Sequence, residues 1–282
     1  MTKPIGIFDS GVGGLTVLKE IRRLLPNESL IYFGDTAHAP YGGKDAETLI
    51  ARGREITEFF LKHDTKMVIM ACGTSSSTSY DRLCAEFPHL PITDTIRPAA
   101  AETVRLALQT PDFRPVLIAT QATINSGLFA AEYNAGCKSK MPHIPSKPAQ
   151  SNLPELPKLH LRACPMFAPI AEAGFVGGHP VACFAAKNYL ADLRGKVNAL
   201  ILGCTHYPLL KPALAKVLGE ITFIDPAEAC ARAARDAAKN LPPPDTPPEI
   251  RYCTSGDPEK FSKLARIILN EKIVCEKIAS FK

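Results

Sequence analysis

Two segments far apart in the chain repeat one pattern. Residues 67–74 read Met-Val-Ile-Met-Ala-Cys-Gly-Thr, and residues 199–206 read Ala-Leu-Ile-Leu-Gly-Cys-Thr-His. Each is a compact apolar run, a small residue, a cysteine and a threonine-containing turn. Cys72 and Cys204 are therefore the first candidates for chemistry. A thiol near neutral pH serves as nucleophile, metal ligand or proton carrier. His206, two residues beyond Cys204, fits a nucleophilic dyad. Cys-x-His without a companion cluster is a poor zinc signature, and no metal is expected. A third chemistry uses one cysteine as thiolate base and the other as thiol acid. Only that one uses both copies alike. Inverting a stereocentre takes a proton from one face and returns one to the other, and two equivalent groups do this in either direction.

A carboxylate and a hydroxyl, Asp9-Ser10, open a glycine turn, Gly11-Val12-Gly13-Gly14. Such a turn suits an anion. The dinucleotide fingerprint wants a third glycine or alanine where this chain has Thr16, although Asp35 sits where a ribose-binding acid would. A carboxylate beside a pyrophosphate is repulsive, so a zwitterion fits better, its amino group meeting Asp9. Asp9 also fits a plain turn or helix-cap role.

The elements that must position these residues alternate. Apolar runs bounded by turn residues read as buried parallel strands. Strands are expected at 5–8, 30–33, 66–71, 115–119, 199–202, 222–224 and 249–253. Helices are expected up to about 25, then over 46–63, 75–87, 98–108, 179–193, 211–218, 227–240 and 258–269. The proline-rich stretch 138–158 reads as a surface loop, and 241–248 as a connector. Alternation of this kind predicts an α/β fold with helices on both faces of each sheet. The pattern restarts near Pro98, which predicts two pseudo-symmetric, doubly wound halves with mainly parallel sheets: 1–96 with 209–282, and 97–208. Asp9 pairs with Thr120 at the first strand ends and Cys72 with Cys204 at later ones. Ligands of open α/β sheets bind at such strand ends, which predicts one site built from both halves.

Composition bounds the function. With 282 residues and 46% hydrophobic content the chain builds a sizeable core. A net charge of +5 with no basic-aromatic interleaving argues against nucleic acid. No apolar run nears the roughly 20 residues of a membrane helix, so no membrane is expected. Nine cysteines lack framework spacing, and no secretory signal is seen, so free thiols in the cytoplasm are expected. Cys84, Cys137, Cys164, Cys183, Cys230, Cys253 and Cys275 read as packing residues. His38, His63, His89, His143, His160 and His179 read as surface or loop residues.

Longer motifs carry a resemblance. They are the opening 5–17 (Ile-Gly-Ile-Phe-Asp-Ser-Gly-Val-Gly-Gly-Leu-Thr-Val) and 32–42 (Tyr-Phe-Gly-Asp-Thr-Ala-His-Ala-Pro-Tyr-Gly). With them stand both cysteine motifs, the segment 163–172 ending in Glu172, and Ser255-Gly256-Asp257-Pro258. Over nearly its whole length the chain resembles the glutamate racemases of the aspartate/glutamate racemase superfamily. The resemblance implies interconversion of L- and D-glutamate without a cofactor, with Cys72 and Cys204 as the acid/base pair. It implies supporting roles for Asp9, Glu172 and His206. Substrate contacts fall at Ser10, Pro40, Tyr41, Gly42, Gly73, Thr74, Thr123 and Thr205. It also implies a site between two domains, a homodimer, and D-glutamate supply for peptidoglycan. One residue departs: Gly73 stands where the family has an asparagine that contacts the substrate. That keeps two alternatives open, a racemase for aspartate or another acidic amino acid, and a non-catalytic amino-acid binder.

Overall fold

The structure is a computed structural model that describes residues 3–136 and 155–278. In chain order the first elements are β1 (Ile5–Asp9), α1 (Leu15–Leu24), β2 (Leu30–Gly34), α2 (Ala46–Lys62), β3 (Met67–Met70), α3 (Gly73–Glu86) and β4 (Ile92–Asp94). Then come α4 (Ile96–Gln109), β5 (Pro115–Ala119), α5 (Gln121–Ser126), α6 (Leu128–Ala135), β6 (His160–Ala163), α7 (Phe167–Glu172) and α8 (Pro180–Leu190). The chain continues through β7 (Ala199–Leu202), α9 (Lys211–Leu218) and β8 (Thr222–Ile224). It closes with α10 (Pro226–Ala238), β9 (Ile250–Thr254), α11 (Pro258–Leu269) and β10 (Cys275–Lys277).

Local signals account for several of these. Asp45 and Asp257 cap α2 and α11 by accepting backbone N–H bonds, and Pro258 occupies the first helical turn. Leu15, Leu18 and Ile21 give α1 one buried apolar stripe. The short apolar runs Ile5–Asp9 and Met67–Met70 are buried along their whole length, as central parallel strands are.

The chain forms two compact units, Met1–Thr95 with Ala227–Lys282, and Ile96–Pro226. The first contains a parallel six-stranded sheet in the order β10-β9-β2-β1-β3-β4. Alternation along its strands makes two cores. Ile5, Ile7, Tyr32 and Ile69 pack with α1, α10 and α11 on one face. Phe8, Phe33, Val68 and Met70 pack with α2 and α3 on the other. Each fully buried large side chain contributes about 1.5–3 kcal/mol. The second unit contains a parallel four-stranded sheet, β6-β5-β7-β8. Val116, Ile118, Leu200 and Leu202 pack with α7, α8 and α9.

The order β2-β1-β3-β4 thus recurs as β6-β5-β7-β8, with β9 and β10 added at one edge of the first sheet. Residues 209–226, expected in the first half, belong to the second, because β8 pairs with β7 and α9 packs in the second unit's core. The register also corrects the strand-end pairing. Phe8 lies opposite Met70, and Ile118 opposite Leu202. With Cys72 matched to Cys204, Asp9 corresponds to Ala119 and Ser10 to Thr120. Strands β4 and β10 and helix α7 were not expected, and of β6 only its end, at Ala163-Cys164-Pro165, was. Of the stretch 138–158, only 155–158 falls within the described residues. Cys137 and His143 lie outside them.

Candidate active site

Cys72 lies two residues beyond the last paired residue of β3 and is the N-cap of α3, with extended backbone at φ −79° and ψ 120°. The first helical bond runs from Ser76 N to the Cys72 carbonyl at 2.8 Å. The positive end of the helix dipole therefore lies beside the sulfur and favours negative charge there. The thiol is buried, packs with Tyr41 and Leu49, and donates to Ser10 Oγ at 3.7 Å.

On the adjacent strand, Asp9 is fully buried and its Oδ1 accepts from Gly11 N at 2.8 Å. The carboxylate thus shapes the glycine turn, the turn role expected of it. Gly14 must be glycine: a Cβ there would meet the Asp9 Cβ at 2.5 Å. Thr74 and Gly73 are buried in the first turn of α3. Ser75 and Ser79, one turn apart on α3, each bury a hydroxyl without a hydrogen-bond partner among the described residues.

The turn after β2 is anchored by a carboxylate. Asp35 is fully buried and accepts from Arg52 at 2.8 and 3.0 Å and from the Tyr41 hydroxyl at 2.5 Å. His38 Nδ1 lies 2.9 Å from it, so His38 is more than a surface residue. Burial alone would raise the Asp35 carboxyl, but bonds from Arg52, Tyr41 and Ser255 and the Arg52 charge hold it below the usual range. Asp35 is therefore a structural anion, which overturns the ribose-binding alternative. It fixes the segment carrying Pro40, Tyr41 and Gly42. Pro40 is exposed and follows a cis peptide bond, and Gly42 is half-buried. Tyr41 is buried with its hydroxyl committed to Asp35, so that group is not displayed for a ligand. Arg52 went unnoticed in the sequence because a polar residue on the outer face of an amphipathic helix carries no special signal.

In the second unit Cys204 stands at the same offset from β7. Gly203 before it must be glycine: a Cβ there would approach Leu117, Ala119 and the Ile118 carbonyl at 2.8–2.9 Å. The cysteine is half-buried, and the next structure is a 3-10 turn at Tyr207–Leu210, not an α-helix start. Its Sγ lies 3.8 Å from His206 Nδ1, and His206 Nε2 lies 3.1 Å from Glu172 Oε1. Thiol and imidazole are within hydrogen-bond distance, and the carboxylate lies within ion-pair distance of the other ring nitrogen without hydrogen-bond alignment; Thr205 is buried. Thr123 is buried in the first turn of α5, where Thr120 Oγ1 lies 3.0 Å from its hydroxyl and accepts from its N–H.

The structure so gathers Asp9, Ser10, Tyr41, Cys72, Gly73 and Thr74 at strand ends of one unit. In the other it gathers Cys204, Thr205, His206 and Glu172, with Thr123 at the end of β5. A sequence model of Asp/Glu/Hydantoin racemases matches residues 5–234. The chain belongs to this family. A protein of Chlorobaculum tepidum named glutamate racemase is 38% identical over 275 residues, covering 96% of this chain and 93% of its own. The crystal structure of glutamate racemase from Francisella tularensis in complex with D-glutamate superposes with a TM-score of 0.84 at 32% identity, covering 100% and 98% of the two chains. That from Thermus thermophilus in complex with beta-chloro-D-alanine gives 0.80 at 35%, covering 98% and 97%.

The remaining cysteines sort by burial. Cys164, Cys230 and Cys253 are buried, while Cys84, Cys183 and Cys275 are half-buried, short of the core placement expected. Burial pushes the Cys164 and Cys275 thiols up to about 12, which disfavours their thiolate forms. Among the described residues no group of three or more His, Cys, Asp or Glu is disposed around a metal position, and no helix is long and apolar enough to cross a membrane.

Proposed function

We propose that this protein interconverts L- and D-glutamate by moving the Cα proton between Cys72 and Cys204, without a cofactor. The observation that carries the reading is the repeated strand-end cysteine, two residues past the ladder in each sheet. One cysteine, as thiolate, takes the Cα proton and becomes a thiol. The electron pair left on Cα delocalises into the carboxylate, and the other thiol delivers its proton to the opposite face. After one turnover the two sulfurs have exchanged protonation states, so the reverse reaction uses the same groups. The proposal requires both sulfurs to reach opposite faces of one Cα. On this reading Asp9 supports Cys72, while His206 and Glu172 support Cys204.

Ser10, Thr74, Thr123 and Thr205 offer hydroxyls, and Pro40, Tyr41 and Gly42 shape the wall, Tyr41 through its backbone. Relatives named glutamate racemase at 38% identity, and the D-glutamate complex of the Francisella protein, support glutamate as substrate. The same reading makes the protein a cytoplasmic homodimer that supplies D-glutamate for peptidoglycan. Light scattering of the purified protein tests the dimer. Rescue of a D-glutamate-requiring bacterium tests the supply.

Gly73 favours a second reading. Its missing side chain leaves the start of α3 without an amide beside Cys72, and a differently sized acidic amino acid, such as aspartate, would then be preferred. The deciding experiment incubates the pure protein with L-glutamate or L-aspartate in heavy water, without pyridoxal phosphate or added metal. The proposal expects D-glutamate with deuterium at Cα. Preferential exchange of aspartate supports the second reading, and binding of glutamate without exchange at Cα sinks both.

A further inference from the structure

Tyr207 has no part in the proton transfer above, yet it joins the two turns that carry Cys204, His206 and Glu172. It follows His206 directly, its ring is fully buried, and its hydroxyl donates to the Cys164 carbonyl at 2.8 Å. Burial pushes that hydroxyl far above its ordinary range, so it remains a donor. Cys164 closes the end of β6, its N–H donating to the Ala119 carbonyl at 2.9 Å. Phe167, the first residue of α7, meets the Tyr207 ring edge-on, with centroids 5.3 Å apart and planes at 88°. Tyr189 of α8 meets Phe167 the same way at 5.3 Å and 82°. The last residue of α7 is Glu172, whose carboxylate faces His206 at 3.1 Å.

We infer that Tyr207 is a positioning residue: it clamps α7 to the His206 turn and so holds Glu172 on the imidazole. The inference rests on the proposed work of Cys204, His206 and Glu172. A helix of six residues has too few internal hydrogen bonds to hold its own place, so tertiary contacts must set its direction. Such a helix is roughly 9 Å long, and a tilt of about 10° moves its far end by about 1.5 Å. That displacement breaks the contact between Glu172 and His206. Tyr207 opposes the tilt at the near end, through its ring against Phe167 and its hydroxyl on the carbonyl three residues before Phe167. Both restraints start from the residue next to the imidazole, so imidazole and carboxylate are fixed to one frame.

The test uses the full chain with Tyr207→Phe, Glu172→Gln and the double variant. Glutamate turnover and the ring-nitrogen NMR signals of His206, identified by their loss in His206→Asn, are read in each. Tyr207→Phe should lower kcat by about tenfold, as for one lost hydrogen bond. KM should stay within about twofold, because substrate contacts are untouched. The His206 signals should move toward those of Glu172→Gln, and in the Glu172→Gln background Tyr207→Phe should add nothing. Phe167→Leu, which weakens the clamp from the α7 side, should move the same signals and decides the matter if Tyr207→Phe does not fold. If Glu172→Gln changes kcat and the signals while Tyr207→Phe lowers only the melting temperature, the clamp is wrong and the role of Glu172 stands. If Glu172→Gln changes neither, the role of Glu172 falls and the clamp with it.

Discussion

The two cysteine turns share a backbone plan and differ in what surrounds the sulfur. The β-ladders align Asp9, Ser10, Cys72, Gly73 and Thr74 of the first unit with Ala119, Thr120, Cys204, Thr205 and His206 of the second. In the first, the adjacent strand ends in a buried carboxylate, Asp9, bonded to the Gly11 N–H, and the cysteine begins a full α-helix. In the second, that strand position is an alanine, and an imidazole two residues downstream lies 3.8 Å from the sulfur, with Glu172 3.1 Å from its other nitrogen. The anchors beside them differ too. Asp35 N and Cys164 N occupy equivalent places, each donating to the strand that precedes it. The first anchor is a buried carboxylate held by Arg52 and Tyr41; the second is a carbonyl held by Tyr207. A duplicated strand-end device therefore specifies where a thiol stands, while the ionisable side chains around it differ between the copies; on the proposed function these are the acid/base partners, Asp9 in one and His206 with Glu172 in the other.

Six substitutions break or sharpen this comparison. The largest effect is expected from Cys72→Ala or Cys204→Ala, each lowering racemisation by about 10³-fold or more, since on the proposed function each removes one of two proton carriers. Circular dichroism of glutamate turnover reads it, and normal turnover by either variant would end the two-base scheme. Next come Asp9→Asn and His206→Asn, each lowering kcat/KM by about 10²-fold. Enantiomers have equal free energy, so kcat/KM must fall by the same factor in both directions, while kcat alone is free to differ. If the two partners serve opposite sulfurs, the direction showing the larger kcat loss should be opposite in the two variants; the same direction in both contradicts that division.

Arg52→Met addresses the first anchor. Removing one partner of a buried ion pair should destabilise the fold by on the order of 3 kcal/mol at pH 7. Asp35 is held below the usual carboxylate range of about 4, so its ionised form stabilises the fold above that pH. The contribution disappears as pH falls through the lowered value. Denaturant midpoints of the two proteins should therefore converge in acid, and a pH-independent gap would show that the carboxylate is not the cause. The smallest effect is expected for Gly73→Asn, a roughly tenfold gain in kcat/KM for glutamate if an absent amide limits binding, the size of one hydrogen bond to a charged group. Steady-state kinetics would show instead a loss if the pocket is shaped to glycine.

Much of the fold was legible. Strands β1, β2, β3, β5 and β7 are buried along their lengths and read as uninterrupted apolar runs. Strand β6 was legible only at its end, Ala163-Cys164-Pro165, because its residues from His160 are exposed or half-buried at a sheet edge and carry no apolar run. Strand β10 is an edge strand of the same kind, and β4 is three residues between prolines and a helix start. The boundary at 209–226 was misjudged because α9 and β8 have the same apolar character whichever sheet they join. Asp35 looks like a ligand group in the sequence, which shows its chemistry but not that Arg52 reaches back from α2, and Tyr41 across the turn, to occupy it.

The linear order of residues determined the alternating strands and helices, the family, and the presence of a cysteine just past each of two buried strands. Those are local properties: apolar runs, turn residues and motif spacing act over a few neighbours. Tertiary structure decided which side chains stand near those cysteines. Ser10 meets Cys72 across 62 positions, and Glu172 meets His206 across 34, because parallel pairing brings distant strand ends to one edge. No local pattern encodes which charge will sit there, since that depends on register and on packing between elements that fold separately.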